Sequence, residues 1–175
     1  MKKILLVVVL AIVSLTTVAQ NRVGQLTIQP KVGLSISDLT NVTNSDSRVG
    51  AVVGAELEYG IARNVSFNTG LLYSMQGAKD DDGSLELDYL NIPVVFDFYL
   101  AKNYALKTGL QLGFNVDDDG TNAKSVDLSL PLGLSYQFGQ VVLDGRYNLG
   151  LTKVYRDVDW RNSVFQITLG YKFAL

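Results

Sequence analysis

The 175-residue chain has no cysteine, no histidine, a single tryptophan and only three prolines. Without cysteine there can be no disulfide, no thiolate metal site and no acylated N-terminal cysteine of the lipoprotein kind. Without histidine, the commonest general base and the commonest metal ligand are missing together. A nucleophilic serine would have to rely on a lysine or a carboxylate, and no serine here has a setting that suggests one. A non-enzymatic protein with no cofactor is therefore expected. A basic excess is also lacking, since 15 Lys+Arg face 17 Asp+Glu, and this argues against a nucleic-acid partner.

Long apolar runs are scarce too. The one that exists, Ile4 to Val13, follows Lys2 and Lys3 and precedes the small-residue stretch Thr17-Val18-Ala19. That order of basic, apolar and small residues reads as a cleavable signal peptide over 1–19, leaving 20–175 as one exported domain. No later run approaches the roughly 18 apolar residues of a transmembrane helix.

What the chain does have is alternation with period two, the mark of strands whose side chains point to opposite faces. Eight such segments are predicted between Ile28 and Phe173, with inner bounds at Ser37, Val49, Gly60, Val65, Gln76, Leu90, Phe98, Tyr104, Phe114, Val126, Phe138, Val141, Leu151 and Phe165. Each is about the 9–11 residues that cross a bilayer at a tilt. The cleanest sets Leu128, Leu130, Leu132, Leu134 and Tyr136 against Ser129, Pro131, Gly133, Ser135 and Gln137. Brief connections (Ile61-Ala62-Arg63, Ala101-Lys102, Gly139-Gln140) alternate with longer polar ones (Asp38 to Arg48, Gly77 to Ser84, Asn115 to Lys124, Lys153 to Arg161). Short periplasmic turns and long external loops are the habit of outer-membrane barrels, and an even strand number puts both termini in the periplasm. The expected fold is all-β: an eight-stranded antiparallel up-and-down transmembrane β-barrel.

Two irregularities are visible. Leu85, Leu87 and Tyr89 have the opposite parity to the outward residues that follow them, which predicts a bulge near Tyr89 or a strand extension above the membrane. Pro93 and Pro131 lack a ladder donor and should sit at bulges or local pairing breaks.

The apolar parity carries Tyr59, Phe67, Phe98, Tyr104, Tyr136, Phe138, Tyr171 and Phe173 near the periplasmic end, the pattern of an aromatic girdle. The other parity is rich in glycine and carries Lys31, Glu56, Glu58, Asp97, Lys107, Asp127, Asp144, Arg146 and Lys172. Ions taken out of water need partners, so these mixed charges predict a lumen ion-pair network that plugs the barrel. Arg146 is the natural hub, because a guanidinium can bridge two carboxylates. A soluble lipid-binding barrel in the periplasm is the rival reading; it would turn its apolar parity inward and coat the outside with charge.

The long connections are acidic: Asp80-Asp81-Asp82-Gly83, Asp117-Asp118-Asp119-Gly120, and Asp157 with Asp159. They lack EF-hand spacing, and ordinary turn chemistry accounts for them; calcium bridging to anionic lipopolysaccharide is the sharper alternative. Tyr155 and Trp160 could meet a partner or mark the lipid interface.

Three segments, Tyr89-Leu90-Asn91-Ile92-Pro93, Leu143-Asp144-Gly145-Arg146-Tyr147-Asn148-Leu149-Gly150-Leu151-Thr152 and Gly170-Tyr171-Lys172-Phe173, resemble the PorT-like outer-membrane β-barrel family of Gram-negative bacteria, akin in architecture to OmpA and OmpX barrels. The resemblance implies insertion by the barrel-assembly machinery through a terminal strand such as Phe165 to Phe173. Outer-membrane lipid and lipopolysaccharide would surround the barrel, with a structural or surface-interaction role. One branch of that family serves protein secretion, so membership of an envelope or protein-secretion complex is the alternative role.

Overall fold

The computed structural model describes residues 23–40, 46–80, 83–117, 126–152 and 161–175. The predicted signal peptide, Tyr155, Trp160, and the carboxylates of Asp81, Asp82, Asp118, Asp119, Asp157 and Asp159 lie outside the described residues. The strands are β1 (Leu26–Thr40), β2 (Asp46–Ala62), β3 (Val65–Asp80), β4 (Gly83–Ala101), β5 (Tyr104–Asp117), β6 (Val126–Phe138), β7 (Val141–Gly150) and β8 (Arg161–Tyr171), with a two-residue continuation β9 (Phe173–Ala174). Every neighbour in the chain pairs antiparallel, and β1 pairs with both β2 and β8. The sheet thus closes on itself and has no free edge, which removes the liability of an unpaired strand.

Closure turns this protein inside out. The apolar parity faces outward: Val32, Leu34 and Leu134 are each about 60% exposed, and Phe138 is 74% exposed. Most fully buried side chains are polar or charged, among them Lys31, Glu56, Asp97, Lys107, Asp144 and Arg146. That arrangement is unsuited to water and suited to hydrocarbon, and it corrects the soluble alternative, whose apolar side chains would have filled the lumen. Among the described residues no helix is long and apolar enough to cross a membrane, so any crossing falls to the strands.

β1 to β5 run past the predicted bounds, β6 keeps them, β7 stops one residue short, and β8 starts earlier and ends at Tyr171. β3 and β4 stay paired from Gly77↔Glu86 to Asp80↔Gly83, so most of the stretch expected as a loop from Gly77 to Ser84 is a hairpin extension. Its register with the rest of β3 and β4 is unshifted, so the strand extension accounts for the parity change, and Tyr89 is buried on the inward face. The bulge lies on the other side, where Asp88 opposes Asp117 and Tyr89 opposes Asn115, leaving Val116 as the extra residue on β5.

All three prolines fall at interruptions of one ladder while the other ladder stays intact. Pro93 pairs with Gln111 of β5, but on the β3 side pairing skips from Thr69↔Val94 to Leu72↔Asn91. Pro131 pairs with Asn148, and on the β5 side pairing skips from Thr108↔Leu132 to Gln111↔Ser129. Pro30 pairs with Ala55, and the matching gap on the β8 side separates β8 from β9 at Lys172. A missing N–H therefore breaks the pairing locally with no slip in register.

In that register a glycine stands opposite each inward proline, Gly70 across from Pro93 and Gly109 across from Pro131. Both lean onto the strand on their far side. A Cβ at Gly109 would lie 2.2 Å from the Val94 carbonyl oxygen and 2.8 Å from the Val95 Cα. Backbone cannot yield as a flexible side chain can, so Gly109→Ala is expected to destabilise the barrel by about 1–3 kcal/mol. Denaturant unfolding in lipid vesicles measures this, and a neutral result would mean that the strands relax freely there.

Two-residue turns join β2 to β3, β4 to β5 and β6 to β7. In the last, Gly139 has φ +61°, a left-handed conformation that glycine adopts without strain. The start of β1 and the end of β9 lie at this same end, and the strand ends at Thr40, Asp46, Asp117, Val126, Gly150 and Arg161 lie at the other.

Candidate functional site

The inward side chains of the turn-end half form a layer of ion pairs. Asp144 on β7 is its centre: its Oδ2 lies 2.8 Å from Lys107 Nζ of β5, 3.0 Å from Lys31 Nζ of β1 and 3.4 Å from an Arg146 nitrogen. Glu56 of β2 receives Lys31 at 2.6 Å and Arg146 at 2.9 Å, and Asp97 of β4 lies 3.1 Å from Lys107. Three cations and three carboxylates are so joined across the lumen, every side chain at most 4% exposed. Arg146 bridges two carboxylates, Glu56 and Asp144, as a guanidinium can, while Asp144 collects three cations. The physical reason is reach: lysines from β1 and β5 converge from opposite walls on a short carboxylate.

β6 contributes space to this layer. Gly133 stands between Lys107 on one side and Arg146 on the other, and its lack of a side chain leaves their stems room.

A second cluster sits closer to the turns. Lys172, at the break between β8 and β9, lies 2.5 Å from Glu58. Glu58 also accepts hydrogen bonds from Tyr99 (2.6 Å) and Ser66 (2.9 Å), and Lys172 donates to the Tyr99 hydroxyl at 3.1 Å with its ammonium 5.6 Å from the ring centroid. Tyr99 and Ser66 were missed as members of this site. Tyr99 shares the inward parity of Asp97 on β4, so parity could have identified it.

Asp127 is separated from these clusters. It lies near the loop end, only half-buried, and accepts a hydrogen bond from Thr152. Between Asp127 and the ion pairs is a neutral layer of amides and hydroxyls: Gln76 donates to Ser74 (2.8 Å), Gln166 donates to Ser74 (3.3 Å) and Gln111 donates to Asn91 (3.2 Å). Tyr89, 1% exposed, lies one inward step beyond Asn91 toward the loops. Among the described residues, no group of three or more acidic side chains is arranged to hold a metal ion.

On the outside, aromatics ring the turn end. Tyr59 pairs with Phe67, whose ring packs 5.6 Å from Phe96; Phe98 opposes Val65. Tyr104 and Tyr136 pack at 4.8 Å and Tyr171 and Phe173 at 4.7 Å, all tilted, while Phe138 stands exposed beside the last turn. Tilted contacts at these separations are the favourable geometry for aromatic pairs.

A closed antiparallel cylinder, apolar outside and ionic within, defines the class of integral β-barrel membrane proteins. The sequence matches the family model described as the outer membrane protein beta-barrel domain over residues 18–156, and the chain belongs to that family. Among solved structures it is similar in fold to Neisserial surface protein A, at 19% identity and TM-score 0.57, covering 85% of this chain and 97% of that one. It is likewise similar to Ail, the attachment invasion locus protein of Yersinia pestis, at 16% identity and TM-score 0.55, covering 87% and 100%. No curated protein matches the chain. The protein is thus an outer-membrane β-barrel.

Proposed function

We propose that this barrel acts through its surface and its long connections, as a structural or interaction protein without catalytic activity, and that its lumen is closed to bulk solute. The observation that carries this reading is the balance of the lumen charges, with Lys31, Lys107, Arg146 and Lys172 against Glu56, Glu58, Asp97 and Asp144. An eight-stranded barrel has an interior that side chains can fill, and a passing ion would have to part several buried pairs at once. In this reading the termini and short turns face the periplasm and the long connections face outward. Cleavage after Ala19 releases 20–175, the barrel-assembly machinery inserts the chain, and the aromatic ring marks the inner interface beside lipid and lipopolysaccharide.

Planar-bilayer recording tests the closed lumen. No stable single-channel steps of porin size are expected, and their reproducible appearance would refute it.

The nature of a surface partner can be narrowed by charge. Ail has been solved in complex with the heparin analogue sucrose octasulfate, a polyanion. The acidic connections of this chain, Asp80 to Asp82 and Asp117 to Asp119, suit a cationic partner or a metal-bridged anionic one instead. The alternative role, a subunit of an envelope or secretion complex, follows from the family resemblance of the stretch Leu143 to Thr152, one branch of that family serving secretion, though nothing in this sequence selects that branch. Stoichiometric copurification of a periplasmic or membrane protein in mild detergent would support it.

A further inference from the structure

We propose that the amide layer of the lumen is a hydration site, holding at least one long-lived water on Asn148, Asn91 and Gln111. A small cavity lies there, lined by Val164 and by polar side chains that include Asn91, Gln111, Asp127 and Asn148, with about 10 Å³ of room for a water's centre. That is close to the ~10–15 Å³ that a single water needs on this measure. Asn148 is 2% exposed, and neither its Nδ2 nor its Oδ1 has a hydrogen-bond partner in the protein. The Gln111–Asn91 hydrogen bond leaves Asn91 Nδ2 and Gln111 Oε1 unpartnered as well, each residue 3% exposed.

The chemistry of the orphaned atoms selects the ligand. They comprise two amide NH₂ groups and two carbonyl oxygens, so donors and acceptors are mixed. A bare cation would need a shell of oxygens, and an anion would need donors alone. Water both donates and accepts, and buried waters typically make about three such bonds to groups that would otherwise be unsatisfied. Tyr89, itself buried, is the next inward residue of β4 toward the loops, while Asp144 and Arg146, the inward residues preceding Asn148 on β7, begin the ion pairs on the turn side. The orphaned amides are therefore buried between two polar layers, with Asp127 on the loop side of the cavity, and the site stands independently of any surface role.

The test uses the full barrel, isotope-labelled, in phospholipid nanodiscs, with water-selective NOE and ROE spectra. The side-chain NH₂ groups of Asn148 and Asn91 are expected to show cross-peaks at the water frequency with the sign of a long-lived bound water. Asn148→Leu fills the cavity and should weaken the Asn91 cross-peak at least severalfold, and Asn148→Ser enlarges the cavity and should keep it. If either variant fails to fold, the wild-type spectra decide alone. Absence of both cross-peaks, a sign indicating rapid exchange with bulk water, or a through-bond coupling that pairs the Asn148 amide with a protein carbonyl would each overturn the proposal.

Discussion

Replacing Asp144 by asparagine is expected to destabilise the barrel by about 3–5 kcal/mol, the usual cost of removing one partner from a buried ion pair. Asparagine keeps the shape and removes the charge. Lys31, Lys107 and Arg146 would then face only Glu56 and Asp97, leaving one excess positive charge in a layer closed to water. The loss exceeds that of any single contact because one carboxylate oxygen lies within 3.4 Å of all three cations. Glu58→Gln should cost less, since Glu58 holds one lysine and keeps the Tyr99 and Ser66 hydroxyls as donors. Adding Lys107→Met to Asp144→Asn restores the charge balance, so the double variant should recover part of the loss, a coupling that a double-mutant cycle measures. Guanidinium unfolding in vesicles, with heat-modifiable gel migration as a second readout, checks the series. An Asp144→Asn barrel as stable as the parent would mean that water reaches these ions.

How much of this layer could be read beforehand follows from which distances a sequence encodes. Alternation fixes the face on which a residue lies, so the inward charges and outward leucines were legible from parity alone. Parity says nothing about depth. Lys31 and Asp144 are 113 residues apart, and their meeting depends on the stagger accumulated around the closed sheet, which no local pattern records. Parity therefore marks Arg146 as a bridge between two carboxylates but does not show that Asp144 collects three cations, nor that the stagger separates Asp127 from the other charges.

The prolines were half legible. A missing N–H implies a lost ladder bond, and the observed skips sit beside Pro93 and Pro131. The way the barrel tolerates the loss was not legible, because Gly70 and Gly109 belong to neighbouring strands and their positions opposite the prolines depend on register. Likewise the parity of Leu85, Leu87 and Tyr89 allowed either a bulge or an extension. The structure contains both, an unbroken β3–β4 hairpin and an extra residue, Val116, on β5. Chemistry at the tips of the long connections is set by loop conformation, for which two-residue periodicity carries no information.

Leu132→Arg is expected to cost about 2–4 kcal/mol and to lower the fraction of chain that inserts, the penalty for a cation on the lipid face at the bilayer midplane. Leu132 is the central residue of the 13-residue β6, 44% exposed, and in register with Thr108 and Tyr147. The same substitution at Phe138, on the same face at the turn end and 74% exposed, should cost only about 0–1 kcal/mol, because an arginine there reaches the interface. Gly133→Ser, one residue from Leu132 on the opposite parity, acts by a different route. A Cβ at Gly133 would lie 2.8 Å from the Gly145 carbonyl oxygen and 3.3 Å from the Arg146 Cα, so its cost comes from crowding the β7 backbone beside Arg146 and should not depend on the surrounding lipid. Folding each variant into vesicles of thinner and thicker lipid separates the two mechanisms. The arginine penalty at Leu132 should grow with bilayer thickness, and the Gly133 penalty should stay constant. Equal costs for arginine at Leu132 and Phe138 in every lipid would mean that this apolar face does not meet hydrocarbon in the way the barrel's geometry requires.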